Sequence, residues 1–151
     1  MITFPQGWKK GRLPPGVYLE GLLLSSAAFA ALNRNEIRVL LRFYQKRQIP
    51  KRRKEQTKRS SAEILNNGKI VFTYAEAENL DISTSAFTRA LDGLLARGFI
   101  DITYSGEGMY RSVSLYAIST RWQQFGTDTF VHKERRKRGR KVGFLNGHGK
   151  S

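Results

Sequence analysis

The chain has 151 residues, a length that supports one ordinary domain with tails and is short for a two-domain enzyme. It contains no cysteine, which excludes disulfides and thiolate metal sites, and its two histidines lack partners at metal-binding spacing. The formal net charge of +15 points to a polyanionic partner, and 15 of the 27 basic residues lie in two short runs.

The first 16 residues hold six prolines and glycines, a density that predicts an irregular N-terminal arm. This arm lacks the apolar core of a signal peptide. No run in the chain approaches the ~20 apolar residues that a spanning helix needs. These features predict a soluble intracellular protein without a membrane partner.

An apolar segment and then an amphipathic helix follow the arm. Residues 17–32 are mostly apolar but are interrupted by Glu20, which favours a core-packing segment over a membrane helix. Asn33 and Glu36 have the spacing of a capping box, so a helix is expected to begin there and to end near Pro50. Helical spacing predicts a buried face of Ile37, Leu40, Leu41 and Tyr44 and an exposed face of Arg34, Arg38, Arg42 and Lys46.

A basic insert is predicted for residues 46–66. Positions 46–59 hold eight basic residues and one acidic residue, and such a block repels itself and rarely packs into a core. The insert is therefore expected to be disordered, either as a solvated charge run or as a phosphate-binding element. Its candidate nucleic-acid contacts are Lys51, Arg52, Arg53, Lys54, Lys58 and Arg59.

Residues 66–98 predict a turn, a short strand and two helices joined by a tight break. The turn is expected at residues 66–68, the strand at 69–72, the first helix cap at Thr73 and the break at 81–83. Ser83 or Thr84 caps the second helix, and Gly98 is expected to end it in a left-handed conformation. One face of this helix is apolar, with Phe87, Ala90, Leu91, Leu94 and Leu95, and the other carries Thr84, Ser85, Thr88, Arg89, Asp92 and Arg97.

Two strands with a glycine-rich tip are predicted next. Residues 99–104 are mostly β-branched or aromatic, residues 105–108 favour a turn, and residues 109–118 alternate as a second strand. Helix, strand, two helices and two strands is the order of a winged helix-turn-helix. That is an α+β fold with a three-helix core and a small antiparallel β-wing, and we place it at residues 17–131.

The C-terminal part is predicted to consist of a packed strip and a basic tail. Arg121, Trp122, Phe125 and Phe130 favour a small helix or extended strip packed on the domain over a ligand site. The charges and glycines of residues 132–151 predict a disordered tail. Its candidate phosphate contacts are Lys133, Arg135, Arg136, Lys137, Arg138, Arg140 and Lys141.

Four stretches carry a resemblance to a known class of proteins: LLLSSAAFAALNRNEIRVLL, NNGKIVFTYAEA, ISTSAFTRALDGLLARGFIDI and SLYAISTRWQQFGTDTF. From about Leu22 to Phe130 the chain resembles small winged helix-turn-helix proteins of phages, plasmids and integrated elements, similar to the DNA-binding halves of replication initiators. The resemblance implies double-stranded DNA binding without catalysis. The expected location is the cytoplasm of a bacterial or phage-infected cell, with the protein associated with the nucleoid. The basic insert departs from the pattern, since such proteins often have a short connection there.

Under this interpretation the second helix, at about 84–97, is a recognition helix whose first turns meet the major groove. Arg89 is best suited to a base contact, because its planar fork matches guanine O6 and N7. The alternative for Arg89 is a surface salt bridge with Asp92 or Glu76. The other candidate contacts are Thr84, Ser85, Thr88 and Arg97 on the helix and Tyr104, Ser105, Tyr110 and Arg111 on the wing.

The predicted function is sequence-recognising DNA binding in replication initiation, copy control or transcription regulation of a mobile element. No enzyme activity, metal or cofactor is expected. The carboxylates are scattered, and Phe144 stands where a phosphate-binding loop ending in GHGKS needs glycine. Two alternatives stay open: an RNA-binding or ribonucleoprotein component that uses the arginine-rich segments, and a protein-interaction module in which residues 22–32 form a homodimer contact.

Overall fold

The computed structural model describes residues 16–50, 63–106 and 113–135. Within these ranges the protein is an α+β domain of five α-helices, one 3-10 helix and a three-stranded antiparallel sheet. The helices are α1 (Gly21–Leu24), α2 (Ala27–Ala30), α3 (Arg34–Lys46), α4 (Tyr74–Asn79) and α5 (Thr84–Ala96), with the 3-10 helix at Arg121–Gln124. The strands are β1 (Ile70–Val71), β2 (Ile100–Tyr104) and β3 (Leu115–Ile118). The predicted order of elements is confirmed from α3 to β3.

The apolar segment 17–32 forms the two short helices α1 and α2. Ser26 begins α2, because its hydroxyl accepts a hydrogen bond from the backbone N–H of Phe29 at 3.1 Å. Leu23 and Ala28 are buried in the core, whereas Leu22 keeps 75% of its surface exposed. The prediction of a core-packing segment is therefore confirmed for one side of these helices only.

Helix α3 begins where the sequence predicts, but its buried face is rotated from the predicted one. The Asn33 side chain accepts a hydrogen bond from the backbone N–H of Glu36 at 2.9 Å. The buried residues are Glu36, Val39, Leu40, Phe43 and Tyr44. The prediction was wrong for Ile37 and Leu41, which are half-buried, because the face packed on α5 includes the carboxylate of Glu36.

Helices α4 and α5 are joined by a turn in which Asp81 has a φ of 58°. The backbone N–H groups of Asp81 and Ile82 donate to the last carbonyls of α4, which satisfies that helix end. Thr73 caps α4, and Ser83 caps α5 by accepting from the backbone N–H of Ala86 at 3.2 Å. Of the two residues predicted as possible caps of α5, Ser83 and Thr84, the structure shows Ser83 in that role.

Gly98 ends α5 in the predicted left-handed conformation, with a φ of 86°. Its N–H donates to the carbonyl of Leu95 at 3.2 Å, and the N–H of Phe99 donates to that of Leu94 at 3.0 Å. A side chain at Gly98 would lie 2.6 Å from the backbone nitrogen of Trp122. Glycine is required here both by conformation and by space.

The sheet has the strand order β1-β3-β2 with antiparallel pairing throughout. The short strand predicted at 69–72 is confirmed as β1, in which Ile70 pairs with Tyr116 of β3. The second strand of the hairpin was predicted too long, because β3 begins at Leu115 and residues 113–114 are not in a strand. Residues 107–112 lie outside the described ranges.

Aromatic rings tie α3, α5 and the sheet into one core. Phe43 of α3 lies 5.2 Å from the ring centroids of both Phe72 and Tyr116, and Phe72 lies 4.8 Å from Phe87 of α5. All four rings are buried. Ring contacts of this kind add to the free energy gained by burying apolar surface.

The strip predicted around residues 121–130 packs on this core. Trp122 is buried and stacks on Phe99 with 6.1 Å between ring centroids. Arg121 fixes the strip, because its guanidinium binds the Asp101 carboxylate at 2.8 Å and the backbone carbonyls of Leu95 and Ile100, both at 3.0 Å.

The two ends of the basic insert meet at one point of the domain. The N–H of Leu65 donates to the carbonyl of Gln48 at 2.8 Å, and the Asn66 side chain binds the N–H of Gln48 and the carbonyl of Lys46. The predicted boundaries at 46 and 66 are therefore too wide, since Lys46 is the last residue of α3 and Asn66 belongs to an ordered turn. The six candidate contacts between Lys51 and Arg59 lie outside the described ranges. No helix in the part that is described is long and apolar enough to cross a membrane.

Candidate nucleic-acid interface

The N-terminal half of α5 presents a polar, accessible surface. Thr84, Ser85 and Arg89 are exposed, and Thr88 is half-buried. The apolar residues of the same helix face the core, so helical spacing alone places these four side chains on the outside. The predicted division of α5 into a buried and an exposed face is confirmed for these residues, but not for Arg97, which is half-buried.

The hydroxyl of Thr88 already has partners within the domain. It donates to the carbonyl of Thr84 at 3.0 Å and lies 3.3 Å from the hydroxyl of Tyr74. The Tyr74 ring also contacts Phe87 edge-on, with 5.3 Å between centroids. Tyr74 therefore holds the start of α4 against α5 and fixes the orientation of the exposed face.

Arg89 forms no hydrogen bond or ion pair with another residue of the described ranges. The two carboxylates that could have paired with it are bound elsewhere: Asp92 binds Arg135 at 2.9 Å, and Glu76 binds Lys46. The alternative of a surface salt bridge from Arg89 to Asp92 or Glu76 is thus not found in the structure. Its guanidinium is available to a ligand.

Arg97, the remaining candidate on α5, is committed to an interior contact. Its Nη1 atom binds the Glu36 carboxylate at 2.8 Å and the carbonyl of Gly93 at 3.3 Å. Only 6% of the Glu36 side chain is exposed, and burial raises the pKa of this carboxyl while the Arg97 charge opposes the rise. We therefore leave Arg97 out of the interface and assign it to the α3–α5 contact.

The stretch 73–97, which contains α4 and α5, is acidic rather than basic. It holds two basic residues, Arg89 and Arg97, against the four acids Glu76, Glu78, Asp81 and Asp92. A phosphate backbone is attracted by positive charge, so this stretch contributes little electrostatic affinity of its own.

The hairpin formed by β2 and β3 exposes Tyr104 and Ser105 at its outer end. The N–H of Gly106 donates to the Ser114 hydroxyl at 3.1 Å, which draws the two strands together below the tip. The candidates Tyr110 and Arg111 at the tip lie outside the described ranges.

Most of the positive charge lies outside the described ranges. The described residues hold 11 basic and 10 acidic side chains, and the rest of the chain holds 16 and 2. The tail candidates Arg136, Lys137, Arg138, Arg140 and Lys141 belong to that remainder. Electrostatic affinity for a polyanion therefore depends on the insert, the tail and the N-terminal arm.

A disordered tail was predicted to begin at residue 132. Its first residues instead contact the domain. Lys133 binds Asp101 at 3.2 Å and Arg135 binds Asp92 at 2.9 Å. Residues 133–135 and β2 together line a cleft of about 470 Å³. The Nη2 atom of Arg135 is shielded from solvent without a hydrogen-bond partner in the described ranges, so this guanidinium retains donor capacity.

Sequence reasoning missed the side chains that build these contacts. Glu36 was assigned to a cap, and neither the partner of Arg97 nor the partners of Arg121 could be read from local spacing. Among the described residues, no group of three or more histidine, aspartate or glutamate side chains could hold a metal ion.

The sequence matches no family model, and no curated protein or solved structure shows significant similarity to it. The resemblance to the DNA-binding halves of replication initiators therefore stays a prediction.

Proposed function

We propose that this protein is a winged helix-turn-helix protein that recognises double-stranded DNA, with α5 as the recognition helix and the β2–β3 hairpin as the wing. Replication initiation or transcription regulation of a mobile element is the process we propose for it. The observation that carries the proposal is Arg89, an exposed arginine on the N-terminal half of α5 whose neighbouring carboxylates bind other residues. Residues in that half of a recognition helix reach base edges first.

The proposal divides the work between two parts of the chain. Thr84, Ser85 and Arg89 meet the groove, where a bidentate arginine–guanine pair contributes about 1–3 kcal/mol of discrimination between bases. The basic insert and tail bind phosphates and release counterions, which gives affinity without sequence preference. This division fits a described domain whose charges nearly balance.

The experiment begins with selection of a cognate duplex from random oligonucleotides by the full chain. Binding of Arg89→Ala to that duplex and to random duplex is then measured by fluorescence anisotropy. We expect discrimination to fall about tenfold or more, with a small loss of affinity for random DNA. Arg34→Ala is the matched control, because Arg34 is also an exposed arginine and lies on α3. Equal losses on both duplexes in the Arg89 variant contradict the proposal.

The tail gives a complementary test. Replacing its residues by glutamine is expected to weaken binding to cognate and random duplex alike, and to reduce the slope of log K against log salt by about 0.9 per lost phosphate contact. The substituted residues are Arg136, Lys137, Arg138, Arg140 and Lys141.

One observation favours an RNA-binding function as the second candidate. The stretch 73–97 carries more acidic than basic residues, while arginine-rich segments precede and follow it along the chain, and such segments commonly order on RNA. Competition between duplex DNA and structured RNA at matched salt separates the two functions. Preferential displacement by RNA would favour the second.

A further inference from the structure

The segment 131–135, here named the strap, is attached to the domain at three points. Arg121 donates to the carbonyl of Val131 at 2.8 Å, Lys133 binds Asp101 at 3.2 Å, and Arg135 binds Asp92 at 2.9 Å. These contacts span the strap from its first residue to its last, so the chain is led along a defined path.

The path runs from the C-terminal end of α5 back toward its N-terminal half. Asp101 follows α5 by five residues, whereas Asp92 lies on the outer face of α5, one turn after Arg89. Leu95 of α5 lines the cleft between the two attachment points. The strap therefore lies beside the C-terminal half of α5, and its last residue is bound one turn after Arg89.

Arg135 also lies close to the hairpin. Arg135 lines the same cleft as Leu95 of α5 and as Ile102, Thr103 and Ser105 of the hairpin. Burial raises the pKa of Tyr116 on β3, and the Ser114 hydrogen bond and the positive charge of Arg135 act in the opposite direction. The end of the strap is thus near both α5 and the hairpin, the two elements that the proposed function assigns to DNA.

The carboxylate of Asp92 is half-exposed on the face that would meet the groove. Alone, it would repel the phosphates that the surrounding basic segments attract. Paired with Arg135, its charge is neutralised, and the pair marks the place where the basic run of the tail begins, since Arg136 is the next residue.

Building on the proposed function, we infer that the strap is a positioning element that starts the tail beside Arg89, so that helix and tail bind one and the same DNA duplex. Released from Asp92, residues 134–135 could move the start of the tail by about 7 Å. That distance is comparable to the Debye length of about 8 Å at physiological salt, so an attraction between the tail and phosphates that flank the groove site would weaken. The strap thus raises the effective concentration of the tail at one side of the recognised site.

The test uses a substitution for which general electrostatics and the strap predict opposite signs. Asp92→Asn raises the net charge by one and, by charge alone, would tighten DNA binding. With the Arg135 end of the strap released, we expect cognate binding to weaken three- to tenfold. Asp128→Asn is the matched control, because Asp128 is exposed and distant in sequence from α5, and it should bind equally well or slightly more tightly.

A charge swap adds a condition that the inference must meet. Arg135→Asp alone should weaken cognate binding, and adding Asp92→Arg to it should restore most of the loss, because the pair is rebuilt with its partners exchanged. No recovery in the double variant contradicts the inference.

The position of the tail can also be measured in the free protein, without DNA. Because the chain contains no cysteine, a single introduced cysteine can be labelled specifically. A spin label on Gly139→Cys should broaden the backbone amide signals around Arg89 in the free protein, and Asp92→Asn should reduce that broadening. Absence of broadening in the otherwise unaltered protein overturns the inference.

The outcomes separate the inference from the proposed function. If the unaltered protein does not distinguish a selected duplex from random DNA, both fall together. If it does, and Asp92→Asn behaves like Asp128→Asn, only the inference falls.

Discussion

Helix α5 forms two carboxylate–arginine pairs of nearly equal length in opposite surroundings. Arg97 binds Glu36 at 2.8 Å in the α3–α5 interface, and Asp92 binds Arg135 at 2.9 Å on the outer face. The Glu36 side chain is 6% exposed and that of Asp92 is 48% exposed. Breaking a buried pair leaves one charge away from water without a partner, which lowers the free energy of unfolding. Exposed pairs contribute little to that free energy. Burial, rather than distance, therefore assigns the first pair to the stability of the fold, whereas the second pair fixes the position of the strap and contributes little to that stability.

The largest expected effect follows from removing Arg97. In Arg97→Ala the Glu36 carboxylate stays buried without its partner, and we expect the free energy of unfolding to fall by about 3 kcal/mol. Arg89→Ala is the control, since Arg89 is exposed and unpaired among the described residues. Urea unfolding followed by circular dichroism measures both, and similar midpoints for the two variants would contradict the comparison.

Gly93 offers a test of the same interface in which the sign of the effect reverses. A Cβ atom at this position would lie 2.7 Å from the Glu36 carboxyl carbon. Gly93→Ala should therefore destabilise the protein by about 1 kcal/mol, because crowding outweighs the gain in helix propensity. In a Glu36→Ala background the same substitution should stabilise by about 1 kcal/mol. Equal effects in both backgrounds would show that the carboxylate is not the obstacle.

The buried pair also predicts a pH dependence. Burial raises the pKa of Glu36 above 4.5, against the opposing charge of Arg97. The folded state then holds its proton more tightly than the unfolded state, so the contribution of Glu36 to stability is lost as pH rises from about 4.5 through the raised pKa. Glu36→Gln should lack this decline. The measurement is the difference in unfolding midpoint between the two proteins across that range, and a constant difference would argue against the pKa shift.

The smallest effect is expected for the exposed pair. Arg135→Ala should change the free energy of unfolding by less than about 1 kcal/mol, and added salt should reduce the difference further. The same urea series measures it. A loss as large as that of Arg97→Ala would mean that the outer pair supports the fold.

Short-range rules predicted much of this fold. The caps at Asn33, Thr73 and Ser83 and the left-handed Gly98 depend on residues within four positions of one another, and all four are found. The apolar face of α5 likewise depends only on helical spacing.

Contacts between distant residues account for what the sequence could not predict. Glu36 and Arg97 are 61 positions apart, so nothing in the local sequence indicated that the buried face of α3 would include a carboxylate. Arg135 and Asp92 are 43 positions apart, and local charge patterning therefore predicted a free tail at residue 135. For the candidate site, the exposure of Thr84, Ser85 and Arg89 was predictable. The ion pair between Arg97 and Glu36 was not.

The meeting of Gln48 and Leu65 gives the basic insert an independence of its own. Because the two ends are joined at 2.8 Å, residues can be added or removed between them at a small entropic cost and without displacing α3 or β1. The number of cations in the insert is then a quantity that evolution, or an engineer, can change separately from α5. Under the proposed function, overall affinity and base preference would be adjustable one at a time in the same small protein.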